Sequence, residues 1–554
     1  MKIRRFPFYS ILQMVCLLFI FSHPVEVFAS YTEQMAIDPV SVSFANAVTA
    51  YPPGLMSIHH NPAGLSDLDM PGGWLRSNGL IIPVMDIKGK FTAHPGFPGF
   101  FGTFKDDPLA GKDTKATSGL MFVPFVNQTI DYLIGASGGA AYREPGSKWT
   151  FAIGNYAPFA VGLKRSDDND PGRFGGSQVN EQHFIYLAPA VSYRVGETLS
   201  IGISGGAGQT ALNLQQDVRS PTDMVAMTRV VGDATKGLEI PILSELTLPP
   251  PWFGGGISPY ETIAGLKVAL RDDFSPSYNL GLLWEPKDWF SFGAAYQSQI
   301  TAHCTGTYKI TYGQSWKNLM HWLGQSPLLL IIDGMLDLPH GALNDQHGRI
   351  TGDITFPQLL HFGVSFKPIK KLRLLADAHW ANWSVYKEDK FILDQNIQLL
   401  QFAKLSGYTH GDRTLVVPRN MSDTWTYSFG AEFQLSDNVV LRAGYERRTT
   451  SVNMYYADLG ALPTLDDYGI GLGLKLPPSK DMPYGVFLDL GAALYINKSF
   501  SIPENSSINF NSENWTTGTT NPYTGLDYQQ YTAIYMFCVK VTIPFDLEDL
   551  HKKK

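Results

Sequence analysis

The sequence lacks a long apolar run anywhere beyond its first residues. After position 29, no continuous apolar stretch reaches the roughly 18 residues from which a membrane-spanning helix is recognised. Cysteine is almost as scarce, because only Cys304 and Cys538 lie beyond the amino terminus. Two cysteines are too few to staple a secreted fold. These absences exclude a helical membrane protein and a disulfide-stabilised domain.

Positive charge is also in short supply. The chain has 43 Lys and Arg against 50 Asp and Glu, and its formal net charge is -7 at pH 7. Nucleic acid attracts proteins through clustered basic residues, and this sequence has no basic excess. We therefore expect no nucleic-acid partner.

The one long apolar stretch lies at the amino terminus. Lys2, Arg4 and Arg5 precede an apolar run centred on residues 11–21, and Val27-Phe28-Ala29 has the spacing of a cleavage site. The run ends too early for a transmembrane anchor, which needs about 20 apolar residues. The pattern predicts a secretory signal peptide that ends at Ala29.

What the rest of the chain has is alternation. Aromatic residues make up 13% of the sequence, and glycine occurs 53 times. Along residues 425–446, apolar and polar side chains alternate on either side of Ser436-Asp437-Asn438, whose residue types favour a turn. This pattern predicts a β-hairpin with one apolar face.

The charges of this hairpin indicate its register. Pairing Leu435 with Val439 closes the turn. The same register places Glu432 opposite Arg442, as an opposite-charge pair on the polar face. The apolar pattern and the electrostatics therefore predict the same pairing.

Similar hairpins recur around six predicted short turns, which are residues 143–148, 195–198, 286–288, 368–371, 436–438 and 477–483. An opening strand near 74–88 and a closing strand near 531–545 bring the count to fourteen. The seven longer connections are 89–118, 164–180, 213–272, 310–350, 385–420, 453–466 and 498–527. Lipid tolerates no open sheet edge, so the strands must close. We predict an all-β fold, a 14-stranded antiparallel transmembrane β-barrel with short helices in long extracellular loops.

The residues before the barrel do not alternate. Pro39, Pro52-Pro53-Gly54 and Asn61-Pro62-Ala63-Gly64 break the pattern, yet Phe44 and Leu65 are too apolar for a solvated tail. This composition predicts a compact, turn-rich plug. The predicted domains are a signal peptide at 1–29, a plug at 30–70, the barrel with its loops at 71–545 and a charged carboxyl-terminal tail at 546–554.

Several motifs resemble the FadL-type outer-membrane transporters of long-chain fatty acids and other hydrophobic compounds. They are Asn61-Pro62-Ala63, the run from Ser277 to Pro286, Phe356-Pro357 before His361-Phe362-Gly363-Val364, Asp377-Ala378-His379-Trp380 with Trp383-Ser384, and Asp423-Thr424-Trp425 through Arg442-Ala443-Gly444-Tyr445. The resemblance covers most of the mature chain. Two departures are the long connections at 213–272 and 310–350 and the residues that follow Phe545.

The resemblance implies a fourteen-stranded barrel in the bacterial outer membrane, closed by an amino-terminal hatch built around Asn61, Pro62, Ala63 and Gly64. Extracellular loops capture a hydrophobic ligand, and an interior site passes it on. Release follows hatch movement or a lateral opening in the wall. We expect passive uptake by a monomer surrounded by outer-membrane lipid and lipopolysaccharide. Fatty acids and aromatic hydrocarbons both remain open as ligands.

Two long loops are unusually apolar and carry the predicted ligand-binding residues, Trp252, Phe253, Trp316, Leu319, Met320, Leu323, Leu328, Ile331 and Met335. The spacing of the four from Trp316 to Leu323 predicts a helix. An exposed apolar patch of this kind marks a binding site, and the resemblance assigns it to a docking groove. The alternative is that the two loops pack on each other and cap the barrel mouth.

A carboxylate ligand would need a cation in the lumen. Lys309, Arg373 and Arg442 are the candidates, with Arg442 the weakest because Glu432 pairs with it. A hydrocarbon needs no such anchor, since burial alone contributes about 0.8 kcal/mol per methylene.

Catalytic and metal-binding patterns favour no enzyme. We find no nucleophile elbow or comparable local signature. The adjacent pair His59-His60 lacks the spacing of metal ligands on a helix or strand, so plug packing is the preferred interpretation. We expect no metal and no cofactor. The alternatives to a hydrophobic-compound channel are a polar-solute porin and, from another class, an outer-membrane enzyme or surface-interaction barrel.

Overall fold

The computed structural model describes residues 37–94, 106–119, 121–122, 129–238, 249–325, 330, 334, 337–339, 341–404, 408–453, 457, 459, 462–480, 482–497, 500–502 and 522–547. The predicted signal peptide lies outside these residues. Within them, no helix is long and apolar enough to cross a membrane.

Strands dominate the described part of the chain. They are β1 Trp74–Ala93, β2 Asp113–Ser118, β3 Met121–Phe122, β4 Thr129–Ile130, β5 Gly135–Tyr142, β6 Trp149–Lys164, β7 Gln178–Arg194, β8 Leu199–Val218, β9 Ala264–Lys287, β10 Phe290–Gln297, β11 Ile300–Tyr312, β12 Asp345–Phe356, β13 Leu359–Ile369, β14 Leu372–Ala381, β15 Glu388–Leu393, β16 Thr414–Pro418, β17 Thr424–Ser436, β18 Val439–Arg448, β19 Leu465–Leu476, β20 Val486–Ile496, β21 Phe500–Ile502 and β22 Leu526–Phe545.

Twenty of these strands close into one antiparallel barrel of fourteen wall positions, as predicted, while β3 and β4 pair with each other in a separate sheet. Successive wall positions pair with each other, and β1 pairs with β22 from Trp74 opposite Phe545 to Ala93 opposite Leu526. Six wall positions contain two strands separated by a break; they are β2 with β5, β10 with β11, β12 with β13, β14 with β15, β16 with β17, and β20 with β21. Closure leaves no sheet edge exposed to lipid except where the wall itself is interrupted.

Helices are few and short. The α-helices are α1 Pro39–Ser43, α2 Ser57–His60, α3 Arg173–Gly176, α4 Asp223–Thr235, α5 Gln314–Leu323 and α6 Gln398–Ala403. Among the described residues, four 3-10 helices span Gly54–Met56, Pro62–Asp67, Trp252–Gly255 and Trp383–Val385. Helix α5 confirms the helix that was predicted from the spacing of Trp316, Leu319, Met320 and Leu323.

The outer face carries an apolar belt, as the alternation predicted. Trp425, Tyr427 and Phe429 on β17 are each about half exposed, while Thr426 and Ser428 between them are buried. This arrangement places aromatic rings against lipid and polar side chains in the lumen.

The wall extends beyond this belt on the side of the long loops. The outer face of β9 carries Tyr278 and Leu280 in its second half, but Lys267 and Arg271 in its first half. On β12 the exposed residues include His347 and Arg349. Charged side chains are costly against hydrocarbon, so these strand ends lie outside the bilayer.

All six predicted short turns are confirmed, because each lies between two paired strands. The register of the β17–β18 hairpin needs one correction. Glu432 pairs with Arg442 as predicted, but Ser436 rather than Leu435 lies opposite Val439. A β-bulge between Gln434 and Ser436 absorbs the extra residue, and alternation alone does not reveal such an insertion.

Residues 37–70, here called the amino-terminal segment, lie inside the barrel. A Cβ added to any of eight wall glycines would come within 3.0 Å of an atom of this segment; they are Gly202, Gly281, Gly293, Gly363, Gly444, Gly469, Gly471 and Gly491. They belong to seven different strands. The segment's backbone therefore runs directly against the wall, where only glycine leaves enough room.

We predict that Gly444→Ala loosens the amino-terminal segment, because the new methyl carbon would stand 2.2 Å from the carbonyl carbon of Phe44. Overpacking costs about 1–3 kcal/mol. Hydrogen-exchange protection of the amides of residues 42–49 should fall at least about fivefold. The control is Gly205→Ala on β8, where no atom lies within 4 Å. Equal protection in the two variants would contradict the packing described.

Candidate functional site

The predicted plug residues form a capped turn against the wall. The Oδ1 of Asn61 accepts a hydrogen bond from the backbone N–H of Ala63 at 3.2 Å, and its Nδ2 donates to the carbonyls of Thr49 and Leu282 at 2.8 and 3.0 Å. Asn61, Pro62, Ala63 and Gly64 are all buried. Asn61 thus joins two turns of the segment to strand β9.

Polar side chains of the wall satisfy the segment's carbonyls. Ser204 donates to the carbonyl of Ile58 at 2.7 Å, and Gln297 donates to that of His59 at 2.8 Å. Asp377 accepts from the backbone N–H of Thr49 at 2.7 Å. Buried backbone groups without a partner are costly, so these contacts hold the segment in one position. Alternation predicts that such residues point inward but does not identify their partners.

A chain of buried ion pairs links the wall to the segment. Arg442 lies 3.2 Å from Glu432 and 2.7 Å from Asp489. Lys540 lies 3.6 Å from Asp489 and 3.3 Å from Asp38, which caps helix α1. All five side chains are at most 13% exposed. Removing one member would leave another charge buried without compensation.

The predicted lumen cation Arg373 joins the same chain. Its Nε lies 3.9 Å from Glu432, and its guanidinium carbon lies 3.7 Å from the centre of the Tyr51 ring. Burial raises the pKa of Tyr51, and Glu432 adds to the rise. Glu432 therefore contacts Arg442, as predicted, and also Arg373, so both arginines bind Glu432 and the amino-terminal segment.

Lys309 lies elsewhere. Its side chain is 54% exposed and pairs with Asp345 at 3.8 Å, on the face of β11 opposite to the buried Tyr308 and Ile310. This position corrects its assignment to the lumen. The strand here extends past the apolar belt, so its outer face is polar and the alternation that marks lumen residues no longer applies.

The two apolar loops pack together over the barrel mouth. In α5, Trp316, Leu319, Met320 and Leu323 are all at most 6% exposed. The centre of the Phe253 ring lies 5.2 Å from that of Trp322. For the described residues, this contact supports the interpretation that the two loops cap the barrel mouth. Trp252 and Phe253 nevertheless remain partly exposed.

A glycine run joins the two loops. A Cβ on Gly254 would meet the backbone of Asn318 in α5 at 2.3 Å, and one on Gly256 would meet Thr228 in α4 at 2.3 Å. Both glycines have positive φ, of 63° and 71°. Trp252 and Phe253 lie immediately before this run.

The other three predicted ligand-binding residues, Leu328, Ile331 and Met335, lie outside the described residues.

The buried apolar residues of the packed loops are continuous with buried residues of the barrel strands. Together they form one cluster, here called the loop cluster. It includes residues of α5, Ile263, Tyr308, Phe356, Phe159 and Leu359. Phe159 and Leu359 also line a cavity of about 70 Å³ that borders the amino-terminal segment. The loop cluster thus connects the barrel mouth with the interior.

Histidines surround this cavity. His361 and His379 lie with their Nδ1 atoms 2.6 Å apart, and His60 of the segment also lines the space. Burial lowers the pKa of His60 to about 4, against the smaller opposing effect of Asp38. His60 is therefore neutral at pH 7. Sequence reasoning placed His361 and His379 on strands but did not bring them together with His60.

The barrel wall is interrupted beside this cavity. Strand β1 pairs with β5 over residues 74–81 and with β2 over 86–90, so residues 82–85 have no described strand ladder on that side. The contact described there is that of the Ser118 hydroxyl, which accepts from the N–H of Met85 and donates to the carbonyl of Pro83. Across the interruption, residues 156–162 of β6 lack a described β2 or β5 partner. Phe159 lies within this stretch. The second wall position is therefore divided between β2 and β5, and we call this place the wall gap.

Proline marks both sides of the wall gap. Pro83 lies in β1, and Pro158 lies in β6 within the register shift between Tyr156 and Phe159. Proline has no N–H to give to a ladder and is tolerated where pairing is already lost. Pro83 inside a predicted strand was the available sequence signal for this interruption.

Both the sequence and the fold resemble those of known proteins. The family described as outer membrane protein transport protein (OMPP1/FadL/TodX) has a sequence model that matches residues 29–545. No curated protein matches the sequence.

Among solved structures, a Pseudomonas aeruginosa FadL homologue is 16% identical, with a TM-score of 0.62, covering 92% of this chain and 99% of that chain. The P. putida toluene transporter TodX is 14% identical, with a TM-score of 0.55, covering 91% and 98%. The Ralstonia pickettii toluene transporter TbuX is 17% identical, with a TM-score of 0.51, covering 93% and 98%. At such identities these likenesses support the fold alone.

Proposed function

This chain belongs to the OMPP1/FadL/TodX family of outer-membrane transport proteins, and from that premise we propose that it takes up long-chain fatty acids or related hydrocarbons passively. Members of this family are β-barrel transport channels for hydrophobic compounds rather than enzymes. The proposal concerns the ligand and its route: capture at the loops, passage through the interior and exit through the wall gap.

The observation that carries the proposal is the continuity of the loop cluster with the cavity and the wall gap. Phe159 belongs to all three. It packs in the loop cluster, lines the cavity and lies on the stretch of β6 that has no described β2 or β5 partner. Each buried methylene contributes about 0.8 kcal/mol, so a hydrocarbon chain gains from every step along this path.

Filling of the lumen favours this route over a polar-solute porin. The amino-terminal segment contacts strands around the barrel and is held by the buried pair of Asp38 and Lys540. A porin conducts through a water-filled lumen. With the axis filled, a ligand that enters from the loops finds its nearest exit at the wall gap, directly into the lipid where an apolar compound is soluble.

The role of the segment in this proposal is that of a hatch. Its turn at Asn61, Pro62, Ala63 and Gly64 holds it against β9 and blocks the periplasmic route. The first docking site is at Trp252 and Phe253, the partly exposed aromatic residues beside α5. Because Leu319 and Leu323 are already buried, a ligand must displace these contacts as it enters.

Locking the wall gap tests the exit route. A Cβ on Gly119 would lie 3.0 Å from that of Lys164, near the 3.5–4.5 Å typical of disulfides. We predict that Gly119→Cys with Lys164→Cys, in a background of Cys304→Ser and Cys538→Ser, loses uptake of radiolabelled oleate and of toluene when oxidised. Reduction should restore both, because Gly119→Cys is then no longer tied to β6.

The matched control for this lock is Thr305→Cys with Thr351→Cys, which face each other across the continuous β11–β12 ladder. Its oxidation should leave uptake unchanged. Unchanged uptake by the oxidised Gly119–Lys164 disulfide would contradict exit through the wall gap.

Charges in helix α5 test capture by the loops. We predict that Leu319→Asp with Leu323→Asp reduces uptake at least about fivefold while the barrel still inserts, because each buried side chain becomes an unpaired charge. Uptake and the heat-modifiable migration of the folded barrel would be measured together. Gln314→Asp with Asn318→Asp puts two charges on the exposed face of the same helix and should have little effect. Normal uptake by a correctly inserted Leu319 and Leu323 variant would argue for a passive cap.

A further inference from the structure

The cavity beside the amino-terminal segment is built for a small polar group. Its volume of about 70 Å³ is half of the 150 Å³ in which an apolar protein cavity binds benzene. One side is apolar, with Phe159, Leu359 and Trp383, and the other is polar, with His60, His361, His379, Thr424, Thr426, Glu446 and Arg448. A whole ring or chain does not fit, but the polar end of a ligand, such as a hydroxyl group, does.

Two nitrogens at this cavity have no hydrogen-bond partner. The Nε2 atoms of His60 and His361 are both buried without a hydrogen-bond partner, and that of His60 lies 4.0 Å from the Asp38 carboxylate. His361 is only 8% exposed. Buried polar atoms are normally satisfied, and leaving them without a partner costs free energy. A group that hydrogen-bonds to these nitrogens would be stabilised there.

The histidine pair can offer either a donor or an acceptor to the cavity. His361 and His379 share one hydrogen bond between their Nδ1 atoms, and the Nε2 of His379 lies 3.2 Å from the hydroxyl of Ser428. If the Nδ1 of His379 carries the proton and donates it, the Nδ1 of His361 accepts. His361 then carries its own proton on Nε2 and can donate to the cavity. If His361 donates, its Nε2 presents a lone pair, and Ser428 can rotate its hydroxyl to suit. Such a site matches a hydroxyl group, which both donates and accepts.

The charges at the cavity argue against an anionic head group. Arg448 is paired with Glu446 at 3.3 Å, and Asn46 donates to the same carboxylate at 2.7 Å. The cation is therefore neutralised, and a ligand carboxylate would meet the Glu446 carboxylate. Among the described residues, no group of three or more His, Cys, Asp or Glu has the arrangement to hold a metal ion.

We propose that this cavity is a head-group site for hydrophobic ligands that carry one neutral hydroxyl, such as alkylphenols or long-chain alcohols. The ligand's apolar body extends from Phe159 and Leu359 into the loop cluster. This inference rests on the proposed function and narrows its substrate class, since an unsubstituted hydrocarbon leaves both nitrogens unpaired.

The test compares 4-hexylphenol with hexylbenzene, which differ only in the hydroxyl, by isothermal titration of the full-length protein in detergent. We expect the wild type to bind the phenol at least about tenfold more tightly. His361→Phe should lower phenol affinity about tenfold and change hexylbenzene affinity less than about twofold. The control is His303→Phe on the outer face, where the histidine is 76% exposed and pairs with Asp353; it should change neither affinity.

A second, smaller substitution tests the site in case His361→Phe fails to fold. Ser428→Ala removes only the hydroxyl at the end of the histidine pair and should lower phenol affinity about threefold. Equal affinity of the wild type for the two probes, or an unchanged ratio in the folded variants, would overturn the head-group site. Those results would leave the channel intact if both probes are still taken up, whereas uptake of neither probe by the wild type would reject the proposed function itself.

Discussion

The close approach between the amino-terminal segment and the wall determines most of this molecule. Eight glycines on seven strands let the backbone of residues 37–70 lie flat on the lumen face, and wall side chains then satisfy its polar groups. The chain of ion pairs from Arg373 to Asp38 extends this contact along the wall. Because the segment lies in the lumen, the route for a ligand depends on where the wall and the loops leave an apolar path. In the function proposed above, the wall gap beside Phe159 supplies this path.

Period-two alternation predicted the barrel well, since lipid on one side and a polar lumen on the other impose opposite demands on successive residues. The fourteen strands, the six short turns and the pairing of Glu432 with Arg442 follow from it. Features that do not change this period were missed. The bulge before Ser436 shifts one pair only, and the wall gap leaves a trace only in Pro83 and Pro158.

The site was harder to predict, because it depends on contacts between residues distant in sequence. The helix from Gln314 to Leu323 follows from its spacing, yet the pattern does not tell a groove from a cap, since both need an apolar face. Lys309 was predicted to lie in the lumen, but it lies on a stretch of β11 whose outer face is polar, where alternation does not distinguish the two faces. His60, His361 and His379 lie on three separate elements, and only the folded chain places them around one cavity.

The most direct test of the account is to locate a bound ligand by the anomalous scattering of bromine, in crystals of the protein grown with a brominated alkane. We predict bromine positions in the loop cluster, beside Phe159, and between β1 and β6 at residues 82–85. Bromine sites along the barrel axis, past a displaced amino-terminal segment and away from the wall gap, would contradict the account.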